Sequence, residues 1–305
     1  MSGTRITQSM LSRATLSDLN TVSGKLSQTQ RKLSSGKEIN RPSDDPFGTS
    51  RAMQLRGELE RINQYQRNTN DGIAWLQTTD TALSSVGDVI QRARELALQG
   101  SNDVMDSVSR ETLAGEIDQL IESAKTQMNA SYAGRYVFAG TATDTLPYQQ
   151  GGSDVYAGDA NPIAREIGPG VSVELNVLGS DVLGNGQAPG DDKLLDVLRD
   201  IAGHLRGSTP ADINALRGTD LQRLDANFDE LSRLRARTGA LMNRLESAQT
   251  GLAQMQETSQ GLLTNVEDAD MAKTIVDYTT QQTVYQSALK AGANVMQTSL
   301  LDFLR

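Results

Sequence analysis

Along most of this chain, apolar positions recur at alternating intervals of four and three residues. This spacing predicts long amphipathic helices that each bury one stripe. From Met271 the row runs Met271, Ile275, Tyr278, Gln282, Tyr285, Leu289, Gly292, Met296, Ser299 and Phe303. A similar row near the start runs Ile6, Met10, Leu19, Val22, Leu26 and Leu33. Each row needs another helix to cover it, and chain ends fray unless something ties them down. The two ends are therefore expected to pair with each other, with neighbouring copies, or with both.

Between them lie longer rows. Gly36, after Ser34 and Ser35, suits a left-handed cap, and Asp45 before Pro46 suits a helix start. The row that follows is Leu55, Leu59, Ile62, Gln66, Thr69, Ile73, Leu76, Asp80, Leu83, Gly87 and Ile90, broken at Gly100-Ser101-Asn102-Asp103. Leu113, Ile117, Leu120, Ile121, Ala124 and Met128 mark another helix. After an irregular stretch, helix is expected again from Asp191. Thr209-Pro210-Ala211-Asp212 reads as a strong helix start. The helix it opens is expected to reach about Val266, with a seam through Leu221, Leu224, Phe228, Leu231, Arg235, Thr238, Met242, Leu245, Gln249, Leu252, Gln256, Ser259 and Leu263. A parallel row, Leu234, Leu241, Ala248, Met255 and Leu262, repeats every seven residues. Polar residues on these seams, among them Asp80, Arg235 and Gln249, weaken a seam but fix its register.

In the middle the period changes. Tyr136–Gly140, Asp154–Ala157, Ala164–Ile167 and Val171–Val177 read as short strands separated by Gly, Pro, Asn and Asp. The expected fold is mainly α: an elongated helical rod, or coiled-coil bundle, built from the N- and C-terminal halves, with a small β-rich insert. The expected divisions are a terminal assembly region (1–44 and 267–305), a helical rod (45–131 and 191–266) and an inserted outer domain (132–190).

Composition narrows the function. The 305 residues include 4% aromatics, and the mean hydropathy is -0.43, which suits thin helical layers better than one large globule. A net charge of -9 argues against generic nucleic-acid binding. The chain has no cysteine, so disulfides and thiolate metal sites are excluded, and passage in an unfolded form risks no cross-linking. No apolar run has the length of a membrane span, and Met1–Ser17 has no secretory h-region, so any route out of the cell is expected to leave no cleaved signal. His204 is the single histidine, which removes His-based zinc motifs and Ser-His-Asp triads; it reads as a surface or boundary residue. Asp44-Asp45 and Asp191-Asp192 read as caps, Trp75 as helix-edge packing, and Gly184–Gly190 as a loop. No catalytic, cofactor-binding or metal residue is expected, and the chain does not read as an enzyme.

Two segments carry a resemblance. Leu33-Ser34-Ser35-Gly36-Lys37-Glu38-Ile39-Asn40 followed by Asp44-Asp45, and Asn68-Thr69-Asn70-Asp71-Gly72 continuing to Leu83, resemble the signature of bacterial flagellins. The residues that carry it are Ser35, Gly36, Asn40, Asp44, Asp45, Asn70, Asp71 and Gly72. Arg41-Pro42-Ser43-Asp44-Asp45-Pro46, Tyr136–Thr141 and the ending Ser299–Arg305 are similar to the members of that family found at the junction of hook and filament. The resemblance implies a structural adaptor of the bacterial flagellum, secreted through flagellar type III export, extracellular, and assembled into a ring through its terminal helices. The implied partners are copies of itself, the adjacent hook-side junction protein, flagellin and a cytosolic export chaperone, with neither nucleic acid nor membrane insertion. It implies that Ile275, Tyr278, Tyr285, Leu289, Met296, Leu300 and Phe303 contact the chaperone first and sister copies later. Ile6, Met10, Leu19, Val22, Leu26 and Leu33 then form the N-terminal assembly helix. The alternatives are a flagellin that builds the filament itself, or another type III-secreted coiled-coil protein.

Overall fold

The computed structural model describes residues 8–186 and 191–303, with side chains described at 10, 12–186 and 191–293. The fold is mainly α with a small β region. The described residues form two compact units, one from Met1–Arg61 with Met255–Arg305 and one from Ile62–Gln254.

The first unit holds α1 (Gln8–Ser35), α8 (Met271–Phe303), and the adjoining ends of α2 (Pro46–Gly100) and α7 (Thr219–Glu267). Gly36 ends α1 at φ 72° and donates from its N–H to Lys32 O at 2.9 Å, as a helix-terminating glycine should. Asp45 caps α2: its Oδ1 accepts from Phe47 N at 3.1 Å and Gly48 N at 3.0 Å, and Pro46 follows where a missing N–H is harmless. Here Ala52, Leu55 and Leu59 of α2 pack against Leu263 and Val266 of α7.

The second unit contains the larger core. The remainder of α2 and α7 join α3 (Ser107–Met128), α5 (Leu194–Gly207) and α6 (Pro210–Arg217). Leu76, Leu83, Leu96, Ile117, Ile121, Leu198 and Leu205 are fully buried, each worth about 1.5–3 kcal/mol of transfer free energy. The long seam of α7 follows the expected spacing, with Gln249 the exposed exception. His204 is half-buried, its Nδ1 2.7 Å from the buried Asp220 Oδ2.

Two expectations about this unit change. Thr209 and Asp212 do form a capping box, but α6 ends at Arg217; the Gly218 backbone (φ -117°, ψ -87°) separates it from α7. The helix expected from Asp191 starts at Leu194, because Asp191 accepts from the N–H groups of Asn185 and Lys193 and so closes a turn instead.

The β region is thinner than expected. β1 (Ser131–Tyr132) pairs with β2 (Arg135–Tyr136), and β3 (Ala164–Gly168) pairs with β4 (Val171–Glu174), both antiparallel. Val137, Phe138 and Ala139 are buried without joining a ladder, and Asp154–Ala157 contributes one isolated bridge, Tyr156 to Tyr148. A four-residue helix, α4 (Gly179–Val182), also interrupts the segment.

Lys125 ties this segment to the helices. It is fully buried, 2.5 Å from Asp154 and 3.0 Å from Glu122, while Arg199 of α5 holds Asp154 at 2.8 Å. Burial pushes the Asp154 carboxyl up, but Arg199 and Lys125 outweigh it and hold the group below the usual carboxylate range.

Candidate assembly surface

In the first unit, α1 and α8 run antiparallel. Burial picks out Ser12, Thr15, Leu19, Val22, Leu26, Thr29 and Leu33 on α1, and Thr274, Tyr278, Gln281, Tyr285, Ala288 and Gly292 on α8. Both sets keep the alternating spacing of a two-helix seam. Thr29 Oγ1 donates to Gln281 Oε1 at 2.7 Å within it. The helices approach closely at Gly292, where a Cβ would just reach contact with Thr15 Cγ2 at 3.4 Å.

The C-terminal row is therefore divided. Tyr278, Tyr285 and Gly292 turn toward α1, whereas Ile275 and Leu289 remain 49% and 44% exposed beside Met271, Val276 and Val284. On α1, Leu19, Val22, Leu26 and Leu33 lie on the seam, whereas Met10 and Leu16 are exposed. Leu16, Leu19, Leu289, Gly292 and Ala293 line an apolar cavity of about 300 Å³. The Ile6, Met296, Leu300 and Phe303 side chains lie outside the described residues. A helix pair that leaves a row of large apolar side chains uncovered presents a surface suited to another protein.

The connectors at the base of this pair are clipped together. Glu38 N donates to Glu267 O at 2.7 Å and Ala269 N donates to Gly36 O at 2.9 Å. The Glu267 side chain is buried, and Lys37 and Arg56 both bond its Oε1. Burial alone would raise the Glu267 carboxyl, but the two cations hold it below its ordinary range. Nothing in the 4-3 pattern marks Glu267; its place directly after Val266, at the end of the apolar seam, is the available hint.

The signature residues shape the chain itself. Ser35 Oγ accepts from Lys37 N, Asn40 Nδ2 donates to Lys37 O, and Asp44 Oδ2 accepts from the N–H groups of Asn40 and Arg41. In the second unit Asn70 Oδ1 accepts from Gln249 Nε2 at 2.7 Å, and Asp71 meets Arg165 at 3.4 Å. Gly72 leaves room for Leu245 and Leu175, which a Cβ would approach to 3.0 and 3.3 Å.

Long helices, a small β region and exposed apolar side chains on the terminal pair fit a helical structural protein. The description "Bacterial flagellin N-terminal helical region" matches residues 6–143, and "Bacterial flagellin C-terminal helical region" matches residues 221–304. The chain belongs to the bacterial flagellin family. It is 30% identical to the flagellar filament 33 kDa core protein of Treponema phagedenis, over 91% of this chain and 92% of that one. Against the flagellin of Bacillus subtilis strain 168 it is 30% identical over 96% and 98% of the two chains. Its fold is similar to that of a hook-associated protein structure from Vibrio parahaemolyticus (TM-score 0.65, 21% identity, 74% of this chain and 100% of that one). It is also similar to flagellar hook-associated protein-3 from Legionella pneumophila (TM-score 0.60, 16% identity, 70% and 98%). The chain is a non-enzymatic structural part of the flagellum, exported from the cell. No described helix is long and apolar enough to cross a membrane.

Proposed function

We propose that this chain is the adaptor that joins the flagellar hook to the filament, assembling as a ring of copies through its terminal helices. The observation that carries the assembly role is the exposure of Met271, Ile275 and Leu289 on one face of α8, with Leu16 of α1 exposed beside Leu289. The junction role is supported by the Arg41–Pro46 segment and by a fold shared with hook-associated proteins along nearly their full length. Under this reading residues 1–44 and 267–305 make the assembly contacts, 45–131 and 191–266 form the helical rod, and 132–190 face outward. Its neighbours are the hook-side junction protein and flagellin. Type III export precedes assembly, and an export chaperone covers Ile275 and Leu289 in the cytosol, where an exposed apolar face needs cover.

A second reading, the filament subunit itself, is favoured by the 30% identity to flagellins over nearly the whole chain. Electron microscopy of a deletion strain, with the medium assayed for flagellin, separates the two. Hooks without filaments, and flagellin shed as monomer, support the adaptor. Hooks without filaments and no other flagellin made point to the filament subunit; normal filaments overturn both.

A further inference from the structure

Beside Glu267 the first unit has a cavity of about 360 Å³. Lys37, Arg41 and Arg56 supply its charge, and Ile39 and Met53 supply apolar wall. Glu267 is its single acid, so three cations face one carboxylate and the lining carries a formal surplus of two positive charges. Lys37 and Arg56 share one oxygen of that carboxylate. Arg41 is bound only through its backbone, whose N–H donates to Asp44 Oδ2 at 2.9 Å; its guanidinium enters no hydrogen bond or ion pair among the described residues. Met53 is 65% exposed next to it.

This positive surplus stands on a chain of net charge -9. Asp18, Glu60 and Glu257 of the same unit are exposed and enter no ion pair among the described residues. A free guanidinium offers a planar fork of donors that matches a carboxylate, and Ile39 and Met53 suit the methylene stem that carries one. We infer that this cavity receives an acidic side chain of a second copy of the chain, so that neighbouring copies join through charge at the connector as well as through the apolar row. The inference rests on the assembly role proposed above, and it holds for a ring or for a filament.

Flagella carrying a photo-cross-linking benzoylphenylalanine in place of Met53 test it, together with Arg41→Glu and Arg41→Lys. The expected product has twice the mass of the chain, and its cross-linked peptide comes from this chain and contains an acidic residue. Arg41→Glu reduces that product roughly tenfold while leaving the melting temperature of the monomer unchanged, because the Arg41 side chain bonds no other described residue and the substitution keeps its backbone bonds; Arg41→Lys retains part of it. A cross-link to a different protein, no cross-link, or an Arg41→Glu yield equal to the parent overturns the inference. The deletion strain decides the adaptor reading separately, since a self-cross-link stands whichever tube the copies build.

Discussion

Arg235 donates from Nε to Asp80 Oδ1 at 3.0 Å, and both sit at positions where the 4-3 spacing of α7 and α2 calls for apolar side chains. Gln249 and Asn70 make a second polar tie between the same helices. Arg235 and Asp80 are 41% and 34% exposed, so solvent screens them and their contribution to stability is small. Their stronger effect is on alignment, because a slip of either helix strands a charge against apolar neighbours. Asp80→Ala should lower the unfolding free energy by less than about 1 kcal/mol. Replacing both residues by Leu should match or exceed the parent in urea while weakening the register. A loss above about 3 kcal/mol from Asp80→Ala would mean the pair is a main source of stability.

Glu267 should make the connector sensitive to acid. Its pKa is lowered on folding, so its contribution is fully present above the unfolded value of about 4.3 and is lost as pH falls through the lower folded value. Glu267→Gln should flatten stability against pH below about 4.3. At neutral pH it should cost about 1–2 kcal/mol, since the carboxylate is buried but Lys37 and Arg56 are half-exposed. Urea unfolding at pH 7 and pH 3 measures both; parallel curves for parent and variant would remove the carboxylate from the account.

Two glycines of the first unit should respond with opposite signs. A Cβ at Gly48 would run into the Asp45 carboxylate and lie 2.6 Å from Ile39 Cδ1, whereas at Gly57 it meets open space. Gly48→Ala should cost about 1–2 kcal/mol through the damaged cap. Gly57→Ala should gain up to about 1 kcal/mol from helix propensity. Thermal unfolding of the monomers checks the ranking, and a Gly48→Ala protein as stable as Gly57→Ala would contradict the cap geometry.

Leu289 and Gly292 separate the outer from the inner face of α8. Leu289→Asp should block assembly and leave the α1–α8 pair intact, because the side chain is 44% exposed. Gly292→Leu should open the pair, since even a Cβ reaches 3.4 Å from Thr15. Circular dichroism of monomers alongside electron microscopy of complemented cells distinguishes them. Normal flagella from Leu289→Asp would remove this face from assembly.

Much of the helical frame is legible in the residues, because each seam repeats over many turns and each cap is local. Asp45-Pro46 and Gly36 stop and start helices with their own atoms, whatever surrounds them. The break at Gly218 escaped because one residue turns the chain without disturbing the 4-3 count on either side. Val137–Ala139 misled because a buried apolar run reads alike whether its backbone pairs in a ladder or with scattered partners. Val137 N donates to Ala130 O, while Phe138 O accepts from Gly179 N and Ala139 O from Asp159 N. Lys125 looks like any surface lysine until Asp154, 29 positions later, is folded against it. The division of the C-terminal row into an inner and an outer face depends on where α1 lies, which spacing along α8 alone does not contain.

The seam between α1 and α8 mixes Leu19, Val22, Leu26, Leu33, Tyr278 and Tyr285 with Ser12, Thr15, Thr29, Thr274, Gln281, Ala288 and Gly292. Its large apolar members are only half-buried and its small or polar members gain little from leaving water, so each contributes less than a fully buried leucine such as Leu83. Such a seam should act as a light fastener, closed in a solitary chain and open to regrouping around another helix.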